Sequence, residues 1–140
     1  MSSFKIVAGD WESLSAEIKS VREQVFIIEQ HIAPEDEWDA EDAISLHFAV
    51  YEQQQVIATA RLLANHSIGR VAVLKAYRGR GVGKQLMLKI IEQAKLQHRS
   101  YVKLSAQVHA ISFYAGLGFK LEGEQYLDCG IPHVDMRLYL

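Results

Sequence analysis

The sequence contains only one cysteine and two prolines among its 140 residues, and it has no long apolar run. Because Cys129 has no second cysteine to pair with, an internal disulfide, a thiolate zinc site and a CxxC redox pair are excluded. No stretch approaches the roughly 20 apolar residues that cross a bilayer, and residues 1–5 lead into a strand-like run without the apolar core of a secretory signal. We therefore predict no metal site, no membrane association and a cytoplasmic location.

The chain also lacks a large excess of charge of one sign, since its formal net charge is -2 at pH 7. Such a surface has no broad attraction for a polyanion, so nucleic acid is not expected as a partner, and any anion-binding site must be local. The apolar fraction of 49% and the charged fraction of 23% are those of an ordinary globular protein. We expect one domain over residues 1–140.

Hydrophobic periodicity predicts an alternation of strands and helices. A first helix should follow the N-cap Asp10, and six apolar residues at intervals of three and four should form its buried face: Trp11, Leu14, Ile18, Val21, Val25 and Ile28. Residues 31–43 are acidic and irregular, which is typical of a loop or of short turns. Further helices are predicted over 82–98 and 110–117, and strands over 4–8, 47–51, 56–63, 67–74, 101–106, 120–126 and 134–140. This order predicts an α+β (mixed α/β) fold, with three or four helices on a largely antiparallel sheet of about seven strands.

The segment 77–83 contains glycine at every second position from Gly79 to Gly83, where a predicted strand gives way to a helix. Backbone N–H groups that carry no bulky side chains can point together at one anion there. Arg78 and Arg80 can form forked hydrogen bonds to phosphate oxygens, and Lys84 adds a cation in the first helical turn. The segment therefore indicates a phosphate site, although an exposed glycine turn would share this composition.

Two common phosphate loops do not fit this segment. A nucleoside-triphosphate loop needs glycine and a hydroxyl residue where this chain has Arg78 and Gln85. A dinucleotide fingerprint would place its third glycine at Lys84 and needs a parallel βαβ unit, which the hairpin-rich first half does not supply. Nucleotide hydrolysis and nicotinamide chemistry are therefore not expected.

The loop instead resembles the pyrophosphate loop of the GNAT superfamily of N-acetyltransferases, (Gln/Arg)-x-x-Gly-x-(Gly/Ala), at Arg78, Gly81 and Gly83. The likeness continues in the strand before it, residues 70–74, and in Phe-Tyr-Ala-Gly-Leu-Gly-Phe at 113–119. The segments 21–26, 29–30 and 130–133 are similar to the small ElaA-like bacterial branch. The resemblance covers nearly the whole chain.

This resemblance implies a fold, an activity and a set of cofactor contacts. The strand before the loop would pair with the pantetheine arm of acetyl-CoA through Val71, Ala72 and Val73, and the Val73 N–H could polarise the thioester carbonyl. The acetyl group would pass to a primary amine by direct attack of the amine on the thioester, with Tyr114 as general acid for the departing thiolate. Packing of Tyr114 in the core is the competing interpretation. The remaining residues expected at acetyl-CoA are Arg78, Gly79, Arg80, Gly81, Val82, Gly83, Lys84 and His109.

The general base is not given by the resemblance, because many family members carry an acidic residue near the positions of Gly69 and Arg70, where this chain has none. Four other residues are candidates: Glu29, His47, His109 and His133. Histidine exchanges protons most readily near neutral pH, and His133 is favoured because the turn 130–132 would hold it in the last inter-strand segment, which borders the acceptor site in the GNAT fold. A structural histidine that hydrogen-bonds within the turn remains the alternative.

The acceptor wall of the GNAT fold is formed by the first helix and the loop after it. The resemblance therefore assigns acceptor contacts to Arg22, Glu29 and Gln30, with His47 as a further substrate-binding residue, although a solvated helix face fits the spacing equally well. An acidic loop at 36–42 could attract an amine or could simply aid solubility. Small amines, amino sugars, antibiotics and peptide amines all remain open as acceptors, as does an acyl-CoA sensor without turnover. If the final strand is exposed, it offers an edge for a homodimer.

Overall fold

The computed structural model describes residues 4–140, which form a seven-stranded sheet with the strand order β1-β2-β3-β4-β5-β7-β6. All neighbouring strands are antiparallel except β4 and β5, which are parallel. The predicted α+β fold and its number of strands are therefore confirmed. The strands are β1 (Lys5–Gly9), β2 (Leu46–Glu52), β3 (Gln55–Leu62), β4 (Ser67–Val73), β5 (Tyr101–Gln107), β6 (Lys120–Asp128) and β7 (Ile131–Tyr139).

The first helix, α1 (Trp11–Arg22), begins at Asp10, whose carboxylate accepts a hydrogen bond of 2.8 Å from the Ser13 N–H. It continues as a π-helical segment over Glu23–Glu29. The wider π turn rotates later residues away from the α-helical face, so Val25 and Phe26 are buried while Ile28 is 53% exposed. The prediction that Ile28 belongs to the buried stripe is therefore wrong.

The other helices are α2 (Pro34–Glu37), α3 (Val82–Leu96) and α4 (Ile111–Gly116), with 3-10 turns at Ala40–Ala43, Lys75–Tyr77 and Val108–Ala110.

Helices cover both faces of the sheet, because successive strand side chains point to opposite sides. On β2, Phe48 and Val50 pack in the core that contains the buried face of α3, whereas Ala49 packs with Leu14 and Ile18 of α1. The larger core lies on the α3 face and also holds Tyr114 of α4. These two cores fix α1 and α3 on either side of the central strands.

The pairing of β4 with β3 is interrupted by a bulge in the middle of β4. Thr59 of β3 pairs with Ala72, but Arg61 pairs with Gly69, so β4 carries one extra residue. Such a bulge bends the strand, and Arg70 within it has a left-handed φ of 52°. The parallel pairing with β5 is confined to Ser67 and Ile68 at the start of β4. Beyond that point β4 and β5 separate, and the gap between them opens the sheet.

The last two strands form a tight hairpin rather than two strands joined by a five-residue turn. Asp128 pairs with Ile131, and the two residues between them, Cys129 and Gly130, have φ values of 51° and 77°, which is typical of a two-residue hairpin turn. The expectation that residues 130–132 form a turn is therefore right only for Gly130 and wrong for Ile131 and Pro132, since Pro132 lies within β7 opposite Leu127.

Because β7 lies between β5 and β6, the final strand is not an edge of the sheet, and the edges are β1 and β6. The expectation that the final strand offers an edge to a second copy is wrong for this reason. Within residues 4–140, no helix has both the length and the apolar character needed to cross a membrane.

Candidate active site

The gap between β4 and β5 is the deepest part of a cleft of about 910 Å³, a volume typical of small-molecule and cofactor sites. Its walls are the π-helical segment and α2 on one side, the loop before α3 and α4 on the other, and the β6–β7 hairpin at the end. The residues predicted for the site that line it are Glu29, Gln30, Val71, Ala72, Val73, Arg78, Gly79, Gly81, Val82, Gly83, Lys84, His109, Tyr114 and His133.

The N-terminus of α3 opens into this cleft. Gly81 stands at the N-cap with a φ of 79° and no side-chain cap, and Gly79 has a φ of 77°, so both positions use backbone conformations that favour glycine. The first N–H groups of a helix lack intrahelical acceptors and carry partial positive charge. A Cβ at Gly83 would lie 3.5 Å from the Phe113 ring and 3.8 Å from Val73. The glycines therefore leave room for an anion directly at these donors.

The backbone of Val73 points into the gap. The Leu74 N–H donates to the Ile57 carbonyl of β3 at 2.9 Å. Because backbone groups alternate in direction along a strand, the N–H and carbonyl of Val73 point away from β3, towards the side that β5 has left. The Arg78 Nε donates to the Val73 carbonyl at 2.9 Å. The Val73 N–H therefore faces the cleft with no neighbouring strand beyond it.

The basic residues of the loop differ in their surroundings. Arg78 forms a two-pronged ion pair with Glu29, with Nη to Oε distances of 2.7 and 2.8 Å, and the hydrogen bond from Arg78 lowers the pKa of Glu29. Arg80 pairs with Glu52 at 2.6 Å and does not line the cleft. The contact expected between the Arg80 side chain and a phosphate therefore stays a prediction. Lys84 lines the cleft and makes no ion pair within the described residues.

Tyr114 combines deep burial with access to the cleft. Its side chain is 9% exposed and lies edge-to-face against Phe113 and Phe119, with ring centroids 5.1 and 6.0 Å away. Burial raises the pKa of Tyr114 to about 12, because the phenolate would lose its hydration. The ring is a core element, and the residue also lines the cleft and keeps its proton at neutral pH, so its role as general acid stays a prediction.

His133 lies on β7 at the far end of the cleft, 8% exposed. Its Nδ1 lies 2.7 Å from the Ile131 carbonyl, which can only accept, so Nδ1 carries the proton and Nε2 is the basic nitrogen of the neutral ring. The ring stacks on Tyr126 with centroids 6.1 Å apart. Strand pairing and stacking, rather than the predicted turn, hold this imidazole in place.

Two residues expected at the acceptor, Arg22 and His47, do not line the cleft, and that prediction is wrong for both. Each is 1% exposed. Arg22 binds Glu37 through Nε at 2.7 Å and Asp42 through Nη1 at 2.6 Å. His47 donates from Nε2 to the Asp42 carbonyl at 2.7 Å, and burial lowers the pKa of His47. The acidic loop folds back over both side chains and removes them from solvent.

Most acidic residues of the loop at 36–42 belong to a cluster of ion pairs. Asp39 binds Arg61 at 2.6 Å, and Arg70 contacts Glu37 at 3.2 Å and Asp39 at 3.3 Å. The hydrogen bond from Arg61 lowers the pKa of Asp39 to about 2, whereas burial raises the pKa of Glu37. The cluster fixes the loop on β3 and β4, so the loop is a rigid wall of the cleft.

Sequence reasoning missed two polar residues: Gln107, which lines the cleft, and Tyr126, which contacts the cleft residue His133. Gln107, at the end of β5, donates to Gln30 at 3.0 Å and lies 2.7 Å from His109. Tyr126 supports His133, and its hydroxyl donates to Asp135 at 2.6 Å. Gln107 depends on a contact with Gln30, 77 positions away, and Tyr126 on the pairing register of the β6–β7 hairpin, and no motif in the sequence marks either residue.

Known proteins resemble this chain over nearly its full length. The sequence model described as "Acetyltransferase (GNAT) domain" matches residues 13–140. The uncharacterized N-acetyltransferase YjcF of Bacillus subtilis is 35% identical over 120 residues, which are 83% of this chain and 86% of that protein. Protein ElaA of Escherichia coli is 36% identical over 121 residues, 80% of this chain and 78% of its own.

Solved structures agree with these relatives. The crystal structure of Escherichia coli ElaA has a TM-score of 0.86 at 31% identity, covering 95% of this chain and 98% of its own. An acyl-CoA N-acyltransferase from Pseudomonas aeruginosa has a TM-score of 0.86 at 32% identity, covering 96% and 99%. With the cleft, the loop and the split sheet, these matches show that the chain belongs to the GNAT acetyltransferase family, in its ElaA-like bacterial branch.

Proposed function

We propose that this protein transfers an acetyl group from acetyl-CoA to a primary amine by direct attack of the amine on the thioester. Membership of the GNAT family supports N-acetyltransferase activity in general. The observation that carries the specific proposal is the meeting, in one cleft, of the uncapped α3 N-terminus, the unpaired backbone of β4 and the buried phenol of Tyr114.

The residues of the cleft fit the parts of acetyl-CoA. The N–H groups at the start of α3 and the ammonium of Lys84 would hold the pyrophosphate, where Gly81 and Gly83 leave space for it. The free backbone of β4 offers hydrogen bonds to the amide-containing arm. Arg78 acts through its ion pair with Glu29, which links the loop to the acceptor-side wall. When bound, acetyl-CoA supplies the activated acetyl thioester.

Tyr114 and Val73 would act at the reacting end. A phenol whose pKa lies at about 12 is protonated at neutral pH, so Tyr114 can give its proton to the departing sulfur. The Val73 N–H, pointing into the gap, can donate to the carbonyl oxygen on which negative charge develops. The side chains of β4 take no part in this step.

His133 is the base that the geometry favours. The amine must be neutral when it attacks, so a group in the cleft must accept its proton, directly or through water. His133 offers Nε2, because Nδ1 is committed to the Ile131 carbonyl. The other candidates are weaker: Glu29 is held by Arg78, His47 lies outside the cleft, and His109 is engaged by Gln107.

A thiol-release assay tests the proposal. Purified protein is mixed with acetyl-CoA and a panel of primary amines, and free thiol is measured beside the mass gain of one acetyl group on the amine. Release that depends on both protein and amine supports the proposal. Binding of acetyl-CoA without release above background for any amine would support the sensor interpretation instead.

A further inference from the structure

The charges of the cleft are divided between its two ends. Lys84 lies at the α3 end, next to the glycine loop, whereas Asp36 of α2 and Asp128 of the β6–β7 hairpin lie at the opposite end, beside His133. Several charged residues between them are paired with one another: Glu29 with Arg78, and Glu37 with Arg70. The cleft therefore has a basic cofactor end and an acidic acceptor end.

Asp36 and Asp128 have carboxylates outside the ion pairs of the cleft, although Arg70 lies near Asp36 and donates to its backbone carbonyl at 3.3 Å. Neither carboxylate forms an ion pair within residues 4–140, and both residues are exposed at the cleft wall. They lie 92 positions apart in sequence numbering, yet the fold brings both next to one side chain: burial and the negative charges of Asp128 and Asp36 raise the pKa of Cys129. Two negative charges thus converge on the hairpin tip from opposite walls.

Two buried polar groups line the same cleft without protein partners. Tyr114 is 9% exposed and its hydroxyl has no hydrogen bond within the described residues, and His133 is 8% exposed with its Nε2 equally free of a partner there. Both atoms remain accessible from the cleft, so a ligand that lies there can form hydrogen bonds with them. The acidic end is therefore the outer part of a built site.

We propose that the acceptor is an amine with a second cationic group, which Asp36 and Asp128 hold while the reacting nitrogen reaches Tyr114 and His133. This assignment rests on the proposed N-acetyltransferase function. The reacting nitrogen has to be neutral to attack, so it gains nothing from two carboxylates in the reactive step. A separate ammonium or guanidinium group keeps its charge throughout and is attracted by both.

The transfer balances with these groups. The neutral nitrogen forms a bond to the acetyl carbon while the carbon–sulfur bond breaks. The sulfur takes the proton of the Tyr114 hydroxyl, and the nitrogen gives one proton to His133 Nε2. The products are an N-acetyl amine and the free thiol, after which Tyr114 regains a proton from solvent and His133 releases its proton to solvent. The second cationic group of the acceptor is unchanged.

The test compares linear diamines of three to eight carbons with n-alkyl monoamines of the same lengths, in the thiol-release assay at constant ionic strength. At one or more lengths kcat/KM should favour the diamine by about tenfold or more, which corresponds to about 1.4 kcal/mol and exceeds the twofold given by two equivalent amino groups. High salt should reduce this preference, because exposed charges are screened.

The double variant Asp36→Asn/Asp128→Asn should bring the diamine preference, measured as the ratio of diamine to monoamine kcat/KM within that variant, close to twofold. Glu35→Gln/Glu41→Gln is the matched control, since it removes the same charge from the same surface region without touching the cleft lining, and it should keep the preference. A parent enzyme that treats diamines and monoamines alike, or a double variant that keeps the preference, overturns the acceptor assignment alone. Absence of thiol release with every amine overturns the proposed function as well.

Discussion

Tyr114 combines a place in the core with the role of general acid that we propose for it. The packing of its ring against Phe113 and Phe119 excludes water from the phenol, and the same burial raises its pKa to about 12. An acid for a departing thiolate must hold its proton in the resting enzyme. Burial therefore favours the protonated form that the proposed reaction needs.

Replacing Tyr114 by phenylalanine tests this role. Tyr114→Phe keeps the aromatic packing and removes the proton, so turnover should fall by about 100- to 10,000-fold, while the dissociation constant for coenzyme A and the melting temperature stay close to those of the parent. Steady-state thiol release and calorimetric binding measure the two parts. A variant that turns over as fast as the parent returns Tyr114 to a purely structural role.

His133 is tested through the pH dependence of the rate. His133→Gln keeps a polar side chain of similar size that cannot take up a proton near neutrality. The rate should fall, and the acidic limb of the kcat/KM profile should lose the ionisation of the base. Tyr126→Phe is the matched control, because it keeps the stacking ring and leaves the imidazole in place. If the acidic limb is unchanged in His133→Gln, His133 is not the base, and a water chain becomes the leading candidate.

At the scale of elements, the start of α3 and the bulge in β4 work as a pair. Gly81 takes a left-handed φ of 79° to begin the helix without a side-chain cap, and Arg70 takes 52° in the bulge. The first conformation presents the helix N–H groups to the cleft, and the second bends β4 so that it leaves β5. Both elements are therefore shaped for a ligand that lies between them.

A valine at Gly83 should block that ligand without unfolding the helix. Gly83 is the second residue of α3, and a Cβ there makes only ordinary contacts, at 3.5 Å or more, so the added methyl groups should extend into the phosphate space. Affinity for coenzyme A should fall by about tenfold or more, or about 1.4 kcal/mol. Gly116→Val, at a helical glycine with open space around its Cβ and outside the cleft, is the control. Equal calorimetric affinities in both variants would contradict the assignment of the loop.

At the scale of the whole molecule, the ion-pair cluster joins the acidic loop to the sheet. Arg22 of α1, Arg61 of β3 and Arg70 of β4 converge on Glu37, Asp39 and Asp42. Breaking a buried pair leaves an uncompensated charge, which costs about 3–5 kcal/mol. The cluster therefore fixes the acceptor wall relative to β4, the strand that would hold the cofactor arm.

This cluster predicts a specific loss of stability in acid. Asp39 has an ordinary pKa of 3.8 and a folded pKa of about 2, so its stabilising effect is complete above about pH 4 and is lost as the pH falls towards 2. Asp39→Asn should lower the urea midpoint at pH 7 and make the midpoint less dependent on pH between 4 and 2. Glu41→Gln, an exposed change in the same loop, should keep the slope of the parent. If the urea midpoint depends on pH equally in the parent and in Asp39→Asn, protonation of Asp39 does not contribute to the loss of stability in acid.

The proposed cofactor half of the site was recognisable in the sequence because its determinants are local. Gly79, Gly81 and Gly83 are close in sequence, and their chemistry needs only a strand, a turn and a helix start. The acceptor half was not, because Arg22 and Asp36 look alike as charged residues of a helix and its loop. Whether each faces the cleft depends on which partners the folded loop finds, and Arg22 is buried while Asp36 is exposed.

The sequence by itself determined the α+β class, the order of the strands along the chain, the glycine loop and the position of Tyr114, since periodicity and short motifs act within a few residues. The tertiary structure decided the rest: the π-helical turn that exposes Ile28, the placement of β7 between β5 and β6, the pairing of Arg80 with Glu52 and the burial of His47. These features depend on contacts between distant segments. Their energies come from burial and charge pairing in three dimensions, which no local pattern encodes.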